Sequence, residues 1–213
     1  MSGTAQNVPE LLRAARLIPV LTIERLDRAV PLAQALVAGG VRTLEITLRT
    51  AAGADAAAAI QDEVPGAIVG LGTVLSRRDL ELAKRLNLPF AFSPGATPEL
   101  LDAAADLGIP FVPGIGTASE LMAALARGFT TMKLFPAEQV GGIGALKAFA
   151  GPFPQVRFNP TGGVGLKNLA DYLAQPNVVA VGGSWLAPLA DIEAENWTAI
   201  TERARQAMQG FNQ

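Results

Sequence analysis

Leu17-Ile-Pro-Val-Leu21 and Val41-Arg-Thr-Leu-Glu-Ile-Thr-Leu48 bracket the stretch whose reading decides the fold. Both runs are short, apolar and rich in branched residues, the composition of a strand buried on both faces. Between them lies an Ala/Leu-rich segment with helical periodicity, followed by Gly39. Strand, helix and strand in that order predict a parallel βαβ unit.

The unit recurs along the chain. Six further runs occupy 67–74, 90–93, 110–114, 130–134, 155–159 and 178–183. With the first two, their starts lie 24, 26, 23, 20, 20, 25 and 23 residues apart. A strand, a helix and two loops need about that much chain. Helix punctuation fills the gaps. Thr97-Pro98-Glu99 reads as an N-cap followed by proline at the first helical position. Thr117 to Glu120 matches a capping box. Gly39, Gly108 and Gly128 stand where a helix ends in a left-handed residue. Asn196 is placed to cap a last helix running toward Gly210, and a further helix is predicted at 8–15, ahead of the first strand.

Eight such units permit an open doubly wound sheet or a closed (β/α)8 barrel. The first strand is not followed by G-x-G-x-x-G, and the even spacing favours the barrel. No linker, charge block or low-complexity tract interrupts the chain. The expectation is one α/β domain over 1–213, a (β/α)8 TIM barrel with an extra N-terminal helix.

Composition narrows the chemistry. The chain has no histidine and no cysteine. Thiol nucleophiles, disulfides, Cys-based metal sites and any Ser-His-Asp arrangement are therefore excluded. Proton transfer must fall to Glu, Asp, Lys, Tyr or water, and a metal could have oxygen ligands only. Seventeen Lys and Arg against 19 Asp and Glu give a net charge of −2, which points away from nucleic acid. No apolar stretch approaches the ~20 residues that span a bilayer. The start, Met-Ser-Gly-Thr-Ala-Gln-Asn-Val-Pro, lacks the apolar core of a secretory signal, so a cytoplasmic protein without membrane attachment is expected.

Barrel active sites lie at the C-terminal ends of the strands, so polar residues there carry the functional reading. Lys133 is the sharpest. The chain has four lysines, and Lys84, Lys147 and Lys167 sit in helical or loop contexts. Lys133 lies inside the sixth run between Met132 and Leu134, with Thr131 and Phe135 on its face by strand alternation. Burial favours a neutral amine, which attacks carbonyls to form Schiff bases. A buried ion pair or a lysine reaching the rim satisfies the same position.

Glu45 is its match in the second run, either as a structural partner or as a proton carrier working through water. Arg49 shares its face roughly 13 Å further along an extended chain, on the rim, where a planar guanidinium suits a carboxylate. Thr73 follows Gly70-Leu-Gly and either caps a helix or meets a ligand. Ser93-Pro94-Gly95 and Pro113-Gly114-Ile115-Gly116 are similar exits, each weak alone. The last two strands end in Pro160-Thr161-Gly162-Gly163 and Gly182-Gly183-Ser184. Barrels often bind phosphate at these two loops, with backbone N–H groups and a helix N-terminus as donors.

Taken together, these motifs resemble one family. Leu-Glu-Ile-Thr-Leu-Arg (44–49), Gly-Leu-Gly-Thr-Val-Leu (70–75), Phe-Ser-Pro-Gly (92–95), Lys-Leu-Phe-Pro-Ala-Glu (133–138), Pro-Thr-Gly-Gly (160–163) and Gly-Gly-Ser-Trp-Leu (182–186) are similar to the class I aldolases of 2-keto-3-deoxy-6-phosphogluconate (KDPG). In many bacteria these enzymes also cleave 4-hydroxy-2-oxoglutarate (KHG). The resemblance implies Lys133 as the Schiff-base lysine and Glu45 as the proton carrier. It implies Arg49 and Thr73 at the pyruvate carboxylate, Pro94 and Phe135 lining the pyruvyl pocket, and Thr161 near the substrate hydroxyls. Gly162, Gly163 and Ser184 would hold the phosphate. It further implies a homotrimer in carbohydrate metabolism, the Entner–Doudoroff pathway, with a small phosphorylated keto-deoxy sugar acid as substrate and no metal or other cofactor.

The related phosphogalactonate aldolases lack the Ser-Pro-Gly, Pro-Ala-Glu and Pro-Thr-Gly-Gly combination, which favours the gluconate type. Asn159 and Gly116 depart from the Cys and the Ser or Ala of close relatives and bear only on fine substrate preference. The rivals are a phosphosugar isomerase on the same barrel, whose His-dependent forms the composition excludes, and a non-catalytic barrel binding a phosphorylated metabolite. In the latter, Lys133 and Glu45 would be a structural pair.

Overall fold

A computed structural model describes residues 8–210. The first seven residues, which belong to the segment considered for a signal, lie outside the described residues. Strand and helix alternate throughout. Helix α1 (Val8–Ala15) leads into β1 (Leu17–Leu21), and a 3-10 turn (Leu26–Arg28) leads into α2 (Ala29–Ala38). Then follow β2 (Thr43–Thr47), α3 (Gly53–Glu63), β3 (Ile68–Gly72), α4 (Arg77–Arg85), β4 (Ala91–Phe92) and α5 (Pro98–Leu107). The fifth run is split at Pro113 into β5 (Phe111–Val112) and β6 (Gly114–Ile115), because proline has no N–H for the ladder. The chain continues through α6 (Ala118–Leu125), β7 (Thr131–Leu134), α7 (Gly142–Ala150), β8 (Arg157–Phe158) and α8 (Leu169–Leu173). It ends with β9 (Val181–Gly183), α9 (Leu189–Glu193) and α10 (Trp197–Gln209).

The result is an α/β fold with a curled, parallel sheet. Among the described residues one sheet has the order β5-β4-β3-β2-β1-β9 and a second the order β6-β7-β8. Each pairing is parallel, and consecutive strands pair from β1 to β5 in the first sheet and from β6 to β8 in the second. β1 also pairs with β9, through Leu17, Ile18 and Pro19, and turns to β2 at Val20 and Leu21. Pro19 thus stands at the handover between partners, where its missing N–H costs the ladder least.

Two apolar layers follow from strand alternation. Leu17, Leu21, Leu44, Ile46, Leu71, Met132 and Leu134 face outward into the core they share with the helices. Ile18, Phe92 and Val112 face the other way and, with Phe90, Val179 and Ala180 from outside the strands, form an inner cluster onto which Leu12 of α1 closes with no exposed surface. This inner cluster is the floor on which the candidate site stands.

The capping signals map closely. Thr97 and Thr117 accept from the backbone N–H of Leu100 and Glu120, and Glu120 returns bonds to Gly116 and Thr117. These donors, led by Gly116 N–H, hold the Glu120 carboxyl below its usual range. Gly108 has φ +63 and Gly128 has φ +85. Gly39 is a correction, because it stays right-handed at φ −81 and the left-handed turn falls on Gly40 at φ +94. Gly39 is needed for packing instead, since a Cβ there would lie 2.5 Å from Ala204 Cβ and 2.6 Å from the Thr201 carbonyl oxygen. Asn196 precedes α10, but its side chain bonds Asp191 rather than the helix N-terminus. No helix among the described residues is long and apolar enough to cross a membrane.

Candidate active site

The register brings Lys133 and Glu45 to one place. Lys133 aligns with Gly114 across β6 and β7, and Glu45 aligns with Val20 and Gly70 across β1, β2 and β3. Both side chains point inward. Lys133 Nζ donates to Glu45 Oε1 at 2.8 Å and to Oε2 at 3.0 Å. The side chains are 5% and 1% exposed, so this is a buried pair and not a surface contact. Removing one partner of such a pair leaves an uncompensated charge, which costs about 3–5 kcal/mol.

The surroundings are apolar and shaped. Nζ lies 5.0 Å from the Phe92 ring centroid and 5.7 Å from that of Phe135, distances at which a cation is attracted to a ring face. Gly72 makes room for the carboxylate. A Cβ there would come within 2.6 Å of Glu45 Cγ and 2.8 Å of Cδ.

Further toward the strand exits the site becomes polar and open. Arg49 is exposed, and its Nε donates to Thr73 Oγ1 at 3.1 Å. Thr73 has φ +59, a left-handed conformation that costs a residue with a Cβ roughly 1–2 kcal/mol. It does not cap the following helix; Ser76 and Asp79 form that capping box. The strain therefore holds the Thr73 hydroxyl beside Arg49. Pro94 is half-buried, and the adjacent Ser93 Oγ accepts from Gly114 N–H at 3.1 Å.

Gly162 and Gly163 have φ +100 and +81, and among the described residues their N–H groups make no intramolecular hydrogen bond. Ser184 is exposed at the end of β9. The helix N-termini expected beside these glycines start later, at Leu169 and Leu189, so the polar groups here belong to the loops. Thr161 is 5% exposed and pairs with Gly182 in an isolated bridge.

Sequence reading missed two participants, Phe92 and Gly72, and gave Asn159 only a bearing on fine substrate preference. Phe92 packs on the lysine, and the alternation of Phe90 and Phe92 could have found it. Gly72 clears space for Glu45, which only the three-dimensional approach shows. Asn159 is wholly buried; its amide atoms, like the hydroxyls of Thr131 and Thr161, have no hydrogen-bond partner in the protein. No group of three or more carboxylates able to hold a metal occurs among the described residues.

The structure thus joins a buried lysine to a carboxylate beneath an open, polar rim. The family model for KDPG and KHG aldolase matches residues 8–203. The chain belongs to this aldolase family. It is 49% identical over 210 residues to the KHG/KDPG aldolase of Escherichia coli, covering 99% of both chains.

Solved members of the family superpose closely. KDPG aldolase of Legionella pneumophila, with pyruvate captured as a covalent carbinolamine, matches with a TM-score of 0.91 and 43% identity, over 94% of this chain and 98% of that one. The enzyme of Zymomonas mobilis with 3-phosphoglycerate matches with a TM-score of 0.88 and 41% identity, over 96% of each.

Proposed function

We propose that this chain is a class I, Schiff-base aldolase. It cleaves KDPG to pyruvate and glyceraldehyde 3-phosphate, and KHG to pyruvate and glyoxylate. The observation that carries the reading is the buried Lys133 amine, hydrogen-bonded to both oxygens of Glu45 between two aromatic rings. The covalent pyruvate adduct of the Legionella relative supports it.

The geometry suits each step. A proton passing from Nζ to Glu45 along the 2.8 Å hydrogen bond frees the amine lone pair. The amine attacks the C2 ketone, and the carbinolamine hydroxyl leaves as water with a proton from Glu45, giving an iminium. Glu45 then takes the C4 hydroxyl proton through a water molecule, and the C3–C4 electron pair flows into the iminium. The aldehyde departs and an enamine remains. Protonation at C3 by Glu45 and hydrolysis, which takes up again the water released on iminium formation, return pyruvate and the free lysine. Without this electron sink the C3 carbanion would be inaccessible.

The remaining residues act as anchors in this reading. Arg49 and Thr73 bind the pyruvyl carboxylate by charge-assisted hydrogen bonds. Pro94 and Phe135 wall the pocket, and Thr161 meets the substrate hydroxyls. Gly162, Gly163 and Ser184 hold the phosphate.

Several further readings go with the function. The two sheets are arcs of one closed (β/α)8 barrel in a single domain, with α1 added at its N-terminal end. Three features support closure: β1 pairs with β9, only Pro113 separates β5 from β6, and isolated bridges join Phe158 to Val178 and Thr161 to Gly182. The family resemblance adds a homotrimer working in the cytoplasm, in the Entner–Doudoroff pathway.

Borohydride reduction in the presence of pyruvate, with peptide mass mapping, tests the mechanism. The expected product is a reduced pyruvyl adduct on Lys133. Label on another lysine, or no label, overturns it.

A further inference from the structure

Glu138 closes the Lys-Leu-Phe-Pro-Ala-Glu stretch, yet the aldol chemistry gives it no task. Its surroundings do. The chain leaving β7 lies along the loop leaving β8, with Ala137 N–H donating to the Thr161 carbonyl at 2.8 Å and Glu138 N–H to the Gly162 carbonyl at 3.1 Å. The Glu138 side chain packs flat on Gly163, where a Cβ would come within 2.7 Å of Glu138 Cβ and collide with its Cγ. Glu138 is exposed, yet one of its carboxylate oxygens is engaged within the protein. Its Oε1 accepts from the Tyr172 hydroxyl and, at 3.3 Å, from Asn168 Nδ2.

Asn168 grips the loop from the other side. Nδ2 also donates to the Gly163 carbonyl at 3.1 Å, and Oδ1 accepts from Gly165 N–H at 2.8 Å. Gly163 is thus held between Glu138 and Asn168, and Tyr172, with no exposed surface, ties both to α8. Burial, and then the hydrogen bond to Glu138, push the Tyr172 hydroxyl above its ordinary range, so it keeps its proton as the donor.

We infer that Glu138, Asn168 and Tyr172 are positioning residues that brace the 161–165 loop, fixing the N–H groups of Gly162 and Gly163 toward a phosphate and so setting the preference for phosphorylated substrates. The inference rests on the proposed phosphate site. Two glycines at positive φ are intrinsically mobile, and loop donors that must be ordered on binding lose affinity to that ordering. The brace settles the ordering in advance. It also ties the loop to β7, the strand that carries Lys133, so the phosphate end and the Schiff-base end of the substrate are referenced to one element. A carboxylate suits the central place because it accepts from both donors at once. With Oε1 engaged by neutral donors, the residue takes its place as scaffold and not as a ligand.

The test compares steady-state kinetics on KDPG with those on KHG, which lacks the phosphate. Tyr172→Phe and Asn168→Ala are expected to raise KM for KDPG about tenfold, with kcat on both substrates and KM for KHG within about twofold of the parent enzyme. Glu138→Ala should behave like them, and Glu138→Gln, which keeps an acceptor oxygen, should restore most of the loss. A merely structural role would move both substrates alike or neither. Either result overturns the inference, as does a Glu138→Gln as impaired as Glu138→Ala.

Ser184→Ala separates the two levels. If it raises KM for KDPG while the three brace variants do not, the brace is wrong and the phosphate assignment stands. If it leaves KM for KDPG unchanged, the phosphate assignment fails and the brace falls with it. The variants report independently, so one that does not fold leaves the others to decide.

Discussion

The floor of the site and its rim are built by opposite means. On the floor, Lys133 and Glu45 are strand side chains, buried to within a few per cent and fixed by two hydrogen bonds and two aromatic rings. At the rim, the polar groups sit in loops. They are backbone N–H groups at Gly162 and Gly163, the exposed Ser184, and Arg49 leaning on a strained Thr73. A covalent step needs one atom placed with little freedom, and a strand in a packed core provides that. Anion recognition needs several donors spread around a ligand, which a loop provides only if something else holds it still.

Substitutions on the floor should therefore act on turnover and those at the rim on binding. The largest effect belongs to Lys133→Met, which should lower kcat by at least roughly 10⁴-fold and abolish borohydride trapping of pyruvate. Activity within tenfold of the parent would remove the floor from the mechanism altogether. Glu45→Gln keeps the shape but not the proton chemistry; a loss of 10²–10⁴-fold in kcat is expected, about the contribution of one acid–base group.

Gly72→Ala tests whether the floor depends on placement alone. The new methyl crowds the Glu45 carboxylate, and a displacement near 1 Å should cost about 10²-fold in kcat. A fully active Gly72→Ala would show that the carboxylate position is not critical. At the rim, Ser184→Ala would remove one hydrogen bond to the phosphate of the proposed site, and KM for KDPG should rise about tenfold. A kcat effect larger than the KM effect would erase the distinction between floor and rim.

Gly108→Ala lies outside both regions. Its φ of +63 makes the methyl strained in otherwise open space. The expected cost is about 1–2 kcal/mol, read as a melting temperature lower by roughly 2–8 °C with unchanged kinetics.

How far the sequence could be read follows the same division. Period and composition decide elements, so the eight runs, α1, the Thr97 and Thr117 caps and the outward and inward faces of each strand are legible from the order of residues alone. Lys133 and Glu45 stand out for the same reason: a charge inside a strand buried on both faces is improbable without a partner. The absence of His and Cys narrows the chemistry to Glu, Asp, Lys, Tyr or water, and strand position singles out Lys133 and Glu45 among them.

Contacts between distant segments are not written in local pattern. That β1 divides its pairing between β9 and β2 depends on strand tilt and on neighbours brought together from the two ends of the chain. Whether Gly39 serves a turn or a helix contact depends on where α10 lies. That Thr73 is strained against Arg49, and that Glu138 is claimed by Tyr172 and Asn168, depends on loops meeting across strands. The sequence determined which residues could do the chemistry, because burial and alternation act within a few residues. Tertiary structure alone decided which of them meet and how the rim is held, because hydrogen bonds and steric clearance act over a few ångströms between segments the chain order keeps apart.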